Sequence, residues 1–298
     1  MTETNPPAGA AAKALIPSAS VLLLRDGPDG LETFVVVRHR RSSSFAGMLV
    51  FPGGQVDPAD DDPALHGRCA DLDADEAARR LASRVAPPPG PLAWHVGGIR
   101  ELFEEAGVLL ARKGGDWVVP GGGVPSLEEM RRALHEGSID LLGLARENDL
   151  ELAPGALSYF AHWITPEQVA TRFDTRFFLA TLPPGQEARH DGRETSSGEW
   201  LRPGEAIARY RRGEAQLVPP TFVLLSELAR HADASAAHAA AVAREVTTIL
   251  PRWFSAPDGT TAFLYPGDAA YDGGDPDRPG PRRRLVVRDG LFEEVVAD

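Results

Sequence analysis

The spacing of apolar and polar positions divides the chain into strand-like and helix-like stretches. Ser18–Leu24 (S-A-S-V-L-L-L) and Phe34–Arg38 (F-V-V-V-R) are apolar and β-rich, and Asp26-Gly27-Pro28-Asp29-Gly30 between them is turn chemistry, which predicts a hairpin or two neighbouring strands. Gly47–Phe51 leads into a Gly53-Gly54 turn. Helical spacing over Asp73–Val85 predicts one short helix before the Pro87-Pro88-Pro89-Gly90 break. A longer helix is expected over Trp94–Gly107, followed by apolar Val108–Ala111. Ser126 with Glu129 forms a capping box that starts a helix over Leu127–His135, and a second short helix fits before Leu144. Aromatic and β-branched content predicts strands over Leu157–Thr165 and Phe173–Leu182. Helices are expected over Gly204–Tyr210 and Phe222–Leu228, the latter opened by Pro219-Pro220, and over the Ala-rich Ala232–Ala243. Thr247–Val296 returns to short strands and Pro/Gly turns.

The pattern becomes chemistry at Ile99–Val108 (I-R-E-L-F-E-E-A-G-V). At about 100° per residue, Glu101, Glu104 and Glu105 share one face of a helix while Ile99, Leu102, Phe103 and Ala106 share the opposite one. Gly107 stands where a helix end favours a left-handed residue. A merely solvated face would mix signs, because like charges four residues apart repel. Clustered carboxylates are what a hard divalent cation such as magnesium prefers, usually together with a substrate's phosphates. Gly97-Gly98 in the same helix costs about 1 kcal/mol per glycine relative to alanine, which predicts close approach of another backbone, that of the 51–54 loop.

Composition narrows the classes. The 298 residues, 43% hydrophobic and 25% charged, suit a globular protein with a substantial core. With 30 glycines and 26 prolines, long loops are expected. A net charge of −12 argues against nucleic-acid and anionic-membrane partners, so an anionic substrate needs bound cations and local arginines. The single cysteine, Cys69, excludes an internal disulfide and suits a reducing cytoplasm. No apolar run reaches membrane-spanning length, and Met1–Ala14 reads as a disordered leader. The basic run Arg38-His39-Arg40-Arg41 offers guanidinium forks for phosphate, with Arg41 the preferred candidate and His39 structural.

Arg100–Val108, R-E-L-F-E-E-A-G-V, resembles without a gap the second half of the Nudix box, and Phe51-Pro52-Gly53-Gly54 resembles its opening. The first half departs from the pattern: Asp60 stands where the family has glutamate, and Asp61 through Ile99 intervene where the family has seven residues. Arg172-Phe173-Asp174-Thr175-Arg176-Phe177-Phe178 and Pro219-Pro220-Thr221 add similarity to the Nudix subgroup that includes the peroxisomal coenzyme A diphosphatase of animals, which also carries an insertion inside its box. The resemblance implies an α/β Nudix α/β/α sandwich with a mixed sheet over 15–230, an in-box insertion at about 61–92, and a helical C-terminal extension over 231–298 packed on the same domain.

It further implies a hydrolase that cleaves the pyrophosphate bond of a nucleoside diphosphate linked to another moiety, CoA or acyl-CoA first. Alternatives are a nucleotide-sugar or dinucleotide diphosphatase, or a non-catalytic ligand sensor. Mg²⁺ or Mn²⁺ is expected on Glu101, Glu104, Glu105 and the Gly54 carbonyl, with Arg100 orienting the carboxylates and Arg41, Gly53 and Gly54 at the substrate. Asp60 is a candidate stand-in for the missing box glutamate. Asp191 and Glu194, in a polar loop before Glu199-Trp200, are candidates for an extra ligand or general base. The partner is a small nucleotide-type molecule, and the reading leaves room for a homodimer. The histidines lack metal spacing, and no Rossmann, P-loop or Ser-His-Asp signature is visible.

Overall fold

A computed structural model describes residues 14–39, 46–81, 89–255, 260–273 and 278–297. The leader reading for Met1–Ala14 falls outside it except for Ala14, as do Arg40 and Arg41. Strand β1 (Leu15–Gly27) organises the main sheet. It pairs antiparallel with β2 (Gly30–Arg38) through the predicted turn, and parallel with β9 (Arg172–Thr181) over ten residues. The parallel partner carries β1 beyond the apolar run visible in the sequence. Next to β9 lie β8 (Ser158–Ile164) and β11 (Thr248–Ile249), while β10 (Thr195–Leu201) flanks β2. Two short strands, β3 (Leu49–Val50) on β2 and β4 (Gly53–Gln55) on β1, complete an eight-stranded mixed sheet.

Val21–Leu24 is buried on both faces, so its period of two feeds two cores. Val21 and Leu23 meet Ile99, Leu102 and Phe103 of α3 (Pro91–Ala106); Leu22 and Leu24 meet the layer formed by α6 (Pro203–Arg211), α7 (Pro219–Leu228) and α8 (Ala234–Ala243). The result is an α/β/α sandwich. Helix α3 begins three residues ahead of expectation, because Pro91 occupies its first turn where proline's missing N–H costs nothing. It ends as expected, with Gly107 at φ 69°.

The insertion joins the α3 layer. Its α1 (Pro63–His66) and α2 (Ala74–Arg80) bury Leu65 and Ala77 in the first core, and the flanking Leu72 and Leu81 join them, so its described residues are a packing elaboration. Beyond α3 a small sheet of β5 (Ala111–Lys113), β6 (Asp116–Trp117) and β7 (Glu151–Leu152) is bracketed with α4 (Leu127–His135) and α5 (Leu141–Glu147). The Ser126–Glu129 capping box is present on α4. Among its described residues the C-terminal extension is helical only through α8. It then forms a four-stranded antiparallel sheet, β12 (Arg252–Ser255), β13 (Thr261–Leu264), β14 (Arg282–Arg288) and β15 (Leu291–Ala297). That sheet docks through Phe292, stacked on Tyr210 at 5.5 Å and edge-on to Phe222 at 5.7 Å. Among the described residues no helix is long and apolar enough to cross a membrane.

The paired glycines of α3 differ from the sequence expectation. Neither abuts the backbone of the 51–54 loop. A Cβ at Gly98 would lie 3.4 Å from Val21 Cγ2 and 3.5 Å from Leu157 Cδ1, ordinary contacts, whereas one at Gly97 would press on Asp60 Oδ2 at 3.0 Å and Val56 Cγ2 at 3.2 Å. Gly98→Ala therefore is expected to raise stability by up to about 1 kcal/mol through helix propensity. Gly97→Ala is expected to lower it, and paired thermal melts of the two variants measure the difference.

Candidate active site

The glutamates sit on the last two turns of α3, held there by the apolar face opposite. Their surroundings are set by β4, the Gly-Gly turn. A Cβ at Gly53 would lie 2.5 Å from the Ala19 carbonyl oxygen, so only glycine lets β4 close on β1. At Gly54 a Cβ would lie 2.6 Å from the Glu101 carboxyl, which places the Gly54 backbone directly beside that carboxylate. Gly53 N donates to Glu105 Oε2 at 2.9 Å.

Two arginines organise the acidic groups. Arg100 Nε and Nη2 donate to the two oxygens of Asp60, each at 2.9 Å, forming a bidentate pair. Its Nη1 donates to Glu101 Oε1 at 2.8 Å and Glu104 Oε2 at 2.9 Å, and Nη2 also reaches the Gln55 carbonyl at 2.7 Å. Arg38 donates through Nη1 to Glu105 Oε1 at 2.9 Å and through Nη2 to Glu194 Oε2 at 3.2 Å. Five carboxylates thus share two guanidinium groups.

Burial sharpens the imbalance. Glu105 is 2% exposed, and desolvation, reinforced by the Glu101 charge, pushes its pKa up to about 8 despite Arg38 and the Gly53 N–H. Desolvation likewise lifts Glu101 to about 7, against the pull of Arg100 and with a push from Glu104, and raises Glu104. Burial opposes the Arg100 cation as well, but Asp60, Glu101 and Glu104 more than offset it, and its pKa stands above the ordinary value.

The acidic run after the Gly-Gly turn is not a solvated face. Asp60 is 1% exposed on Arg100 and also accepts the Asp57 N–H at 2.8 Å. Asp61 accepts the Gly90 N–H at 2.9 Å and Asp62 the Ala64 N–H at 2.8 Å. Of the two loop candidates, Asp191 is committed to the turn, accepting the N–H groups of Glu194 at 2.8 Å and Thr195 at 2.9 Å. Glu194 is the one that reaches the cluster. In the basic run, Arg38 is brought to the glutamates, and Arg41 lies outside the described residues. No feature of the sequence singled out Arg38, because its role depends on the register of β2 beside β10.

Among the described residues no group of three Asp, Glu, His or Cys side chains is already arranged as a metal cage; the α3 carboxylates are instead paired with Arg100 and Arg38. The donor set nevertheless suits a hard divalent cation: oxygen ligands, net negative charge, and two carboxylates whose ionisation burial resists until positive charge arrives. Glu101, Glu104, Glu105 and the Gly54 carbonyl are the groups that would hold it.

A mixed sheet between helical layers, with a Gly-Gly strand end laid against an R-E-x-x-E-E helix, is the architecture of a Nudix hydrolase. The family model described as the NUDT19 Nudix domain matches residues 11–230. The chain is 30% identical to the acyl-coenzyme A diphosphatase NUDT19 of Gallus gallus over 91% of its own length and 81% of the relative's. It is 28% identical to the protein of that name from Homo sapiens, over 82% and 73%. A crystal structure of a NUDIX hydrolase from Alicyclobacillus acidocaldarius matches with TM-score 0.64 at 27% identity, covering 77% of this chain and 97% of that one. The chain belongs to the NUDT19 Nudix domain family, and it is an enzyme that hydrolyses diphosphate bonds. Nudix hydrolases generally need divalent metal ions.

Two outcomes test this geometry. Asp60→Ala removes the bidentate partner of Arg100, leaving its Nε unpaired, and is expected to cost about 3 kcal/mol, as loss of one partner of a buried pair does, measured by denaturant unfolding. The second concerns pH. Glu101 and Glu105 have folded pKa values above the ordinary 4.5, so their contribution to metal-free stability is complete below about 4.5 and is lost as pH rises through about 7 and 8. Metal-free protein should therefore melt lower at pH 8.5 than at pH 6. Divalent cations, which require the ionised carboxylates, should raise the melting temperature more at pH 8.5 than at pH 6.

Proposed function

We propose that the enzyme cleaves the diphosphate linkage of CoA or acyl-CoA with Mg²⁺ or Mn²⁺. The observation that carries the substrate class is the likeness, along most of the chain, to proteins named acyl-coenzyme A diphosphatases. The observation that supports the chemistry is the surplus of buried and half-buried carboxylates on α3 over their guanidinium partners.

A diphosphate in water is protected by its own charge, which repels a nucleophile. Bound divalent cations supply charge neutralisation for the phosphates and acidify water. The chain's residues do the rest. Asp60 fixes Arg100, and Arg100 in turn fixes the side chains of Glu101 and Glu104. The Gly53 N–H and Arg38 hold Glu105. Gly54, having no side chain, lets the β4 backbone lie directly beside the Glu101 carboxyl. Glu194, 66% exposed at the side chain on the opposite arm of Arg38, is the proposed general base that accepts a proton from water, or an added ligand. Arg41 and the Gly53-Gly54 backbone are the proposed contacts to substrate phosphate. One cysteine in the chain, held as the thiol by burial, fits a cytoplasmic site of action. Assembly as a homodimer is compatible with this reading.

Purified protein with Mg²⁺ or Mn²⁺ should convert CoA to 3′,5′-ADP and 4′-phosphopantetheine. Glu104→Gln should lower kcat by about a hundred-fold or more, as loss of several kcal/mol of charge stabilisation implies. The assay is chromatography of products from CoA, acyl-CoA, NADH, ADP-ribose and UDP-glucose. Turnover of one of the last three in place of CoA replaces the substrate assignment and leaves the mechanism.

A further inference from the structure

The carboxylate cluster is encircled by a ring of contacts that closes through a residue outside the motif. The last turn of a helix leaves carbonyls without helical partners. In α3 they are taken up from two directions. Glu104 O accepts Arg131 Nε at 2.8 Å, and Ala106 O accepts the Arg189 N–H at 2.8 Å. Arg131 Nη1 donates in addition to Arg189 O at 3.0 Å. One guanidinium, carried by α4, thus bolts the end of the glutamate helix to the loop after β9. Gln186 reinforces the same junction. Its amide exchanges hydrogen bonds with Leu109 N and O, both at 2.9 Å, and donates to Val118 O at 2.8 Å.

From Arg189 that loop runs through the Asp191 turn to Glu194, whose carboxylate meets Arg38, which holds Glu105. The circuit is closed: Glu105, Arg38, Glu194, Arg189, Arg131, Glu104. Arg131 is 3% exposed, yet the carboxylate paired with it, Glu128, stands 3.9 Å away and is largely in solvent. Among the described residues its Nη2 has no hydrogen-bond partner. A cation buried with so little compensation is costly. The negative end of the α3 dipole offsets part of that cost. Packing alone could be met by an apolar side chain at this position. Both carbonyls it grips belong to segments that carry site residues.

We propose that Arg131 is a positioning residue for hydrolysis: it clamps the loop, at the Arg189 carbonyl, to the Glu104 carbonyl and so fixes where Glu194 stands relative to Glu101 and Glu105. The catalytic part rests on the functional reading above, while the clamping of the loop does not.

The test combines hydrogen exchange with kinetics on the full-length chain, comparing wild type, Arg131→Met, Arg131→Lys, Glu194→Gln and the Arg131→Met/Glu194→Gln double variant. Exchange at the amides of 187–195 should rise in Arg131→Met while β8 and β9 keep their protection. With CoA and Mn²⁺, Arg131→Met should lose about ten- to a hundred-fold in kcat, the usual scale for groups that orient metal-site residues, with KM little changed. In the Glu194→Gln background the same substitution should cost much less. Unchanged exchange in the loop, or an equal kcat loss in both backgrounds, overturns the proposal. If wild type does not turn over CoA, the substrate reading fails and the exchange comparison alone decides the clamp. If Arg131→Met does not fold, Arg131→Lys decides, since lysine keeps the charge but cannot span both carbonyls.

Discussion

The Arg100 guanidinium, pinned by both oxygens of Asp60, is the constraint on which the site depends. The pair is nearly dry and joins the first residues after the Gly-Gly turn to the helix beyond the insertion. With Nε and Nη2 committed to Asp60, Nη1 has one direction left, and it places Glu101 and Glu104 side by side. Two like charges held that close, with Glu105 buried behind them, store electrostatic cost in the metal-free fold. Proteins retain such cost where a cation is to be bound, and the Nudix hydrolase chemistry of the family supplies the reason here.

The same pair explains how the motif survives its interruption. Box and helix are separated by a long stretch, but Asp57–Asp61 turns back at once, so Asp60 reaches Arg100 before the insertion departs. The insertion then spends its apolar residues on the α3 layer and returns through Gly90, which is tied to Asp61. Aspartate is one methylene shorter than the glutamate of the family pattern. The absence of a side chain at Gly97, facing Asp60 Oδ2, lets the shorter acid come close to the helix.

Much of this was legible in the sequence because it is local. The two faces of α3, its left-handed glycine stop and the capping box of α4 each follow from spacing within a few residues. The apolar, β-rich run in β1 predicts a strand, although its full length depends on the distant β9. Asp60 was marked among its acidic neighbours only by its spacing from Gly54; its burial on Arg100 was not legible, since burial is a property of the assembled fold. Arg131 and Gln186 left no pattern at all. They act on backbone carbonyls and amides of segments far away in sequence, and any residue type offers those. Arg38 was hidden for a related reason: within a basic run, the strand register decides which guanidinium faces the glutamates. The sheet that ends the C-terminal extension was visible as short strands, but its docking on Tyr210 and Phe222 was not.

The central claim is that the carboxylates on α3, Glu105 buried and Glu101 and Glu104 half-buried, outnumber their guanidinium partners because a divalent cation completes the set. The direct measurement is calorimetric titration of Mn²⁺ into metal-free protein near pH 7, in buffers of differing ionisation enthalpy, with Glu105→Gln alongside. The account predicts binding accompanied by proton release, as the cation displaces protons from Glu101 and Glu105, and a smaller release in the variant, which keeps only Glu101. Binding with no proton release, or equal binding by the variant, would contradict it.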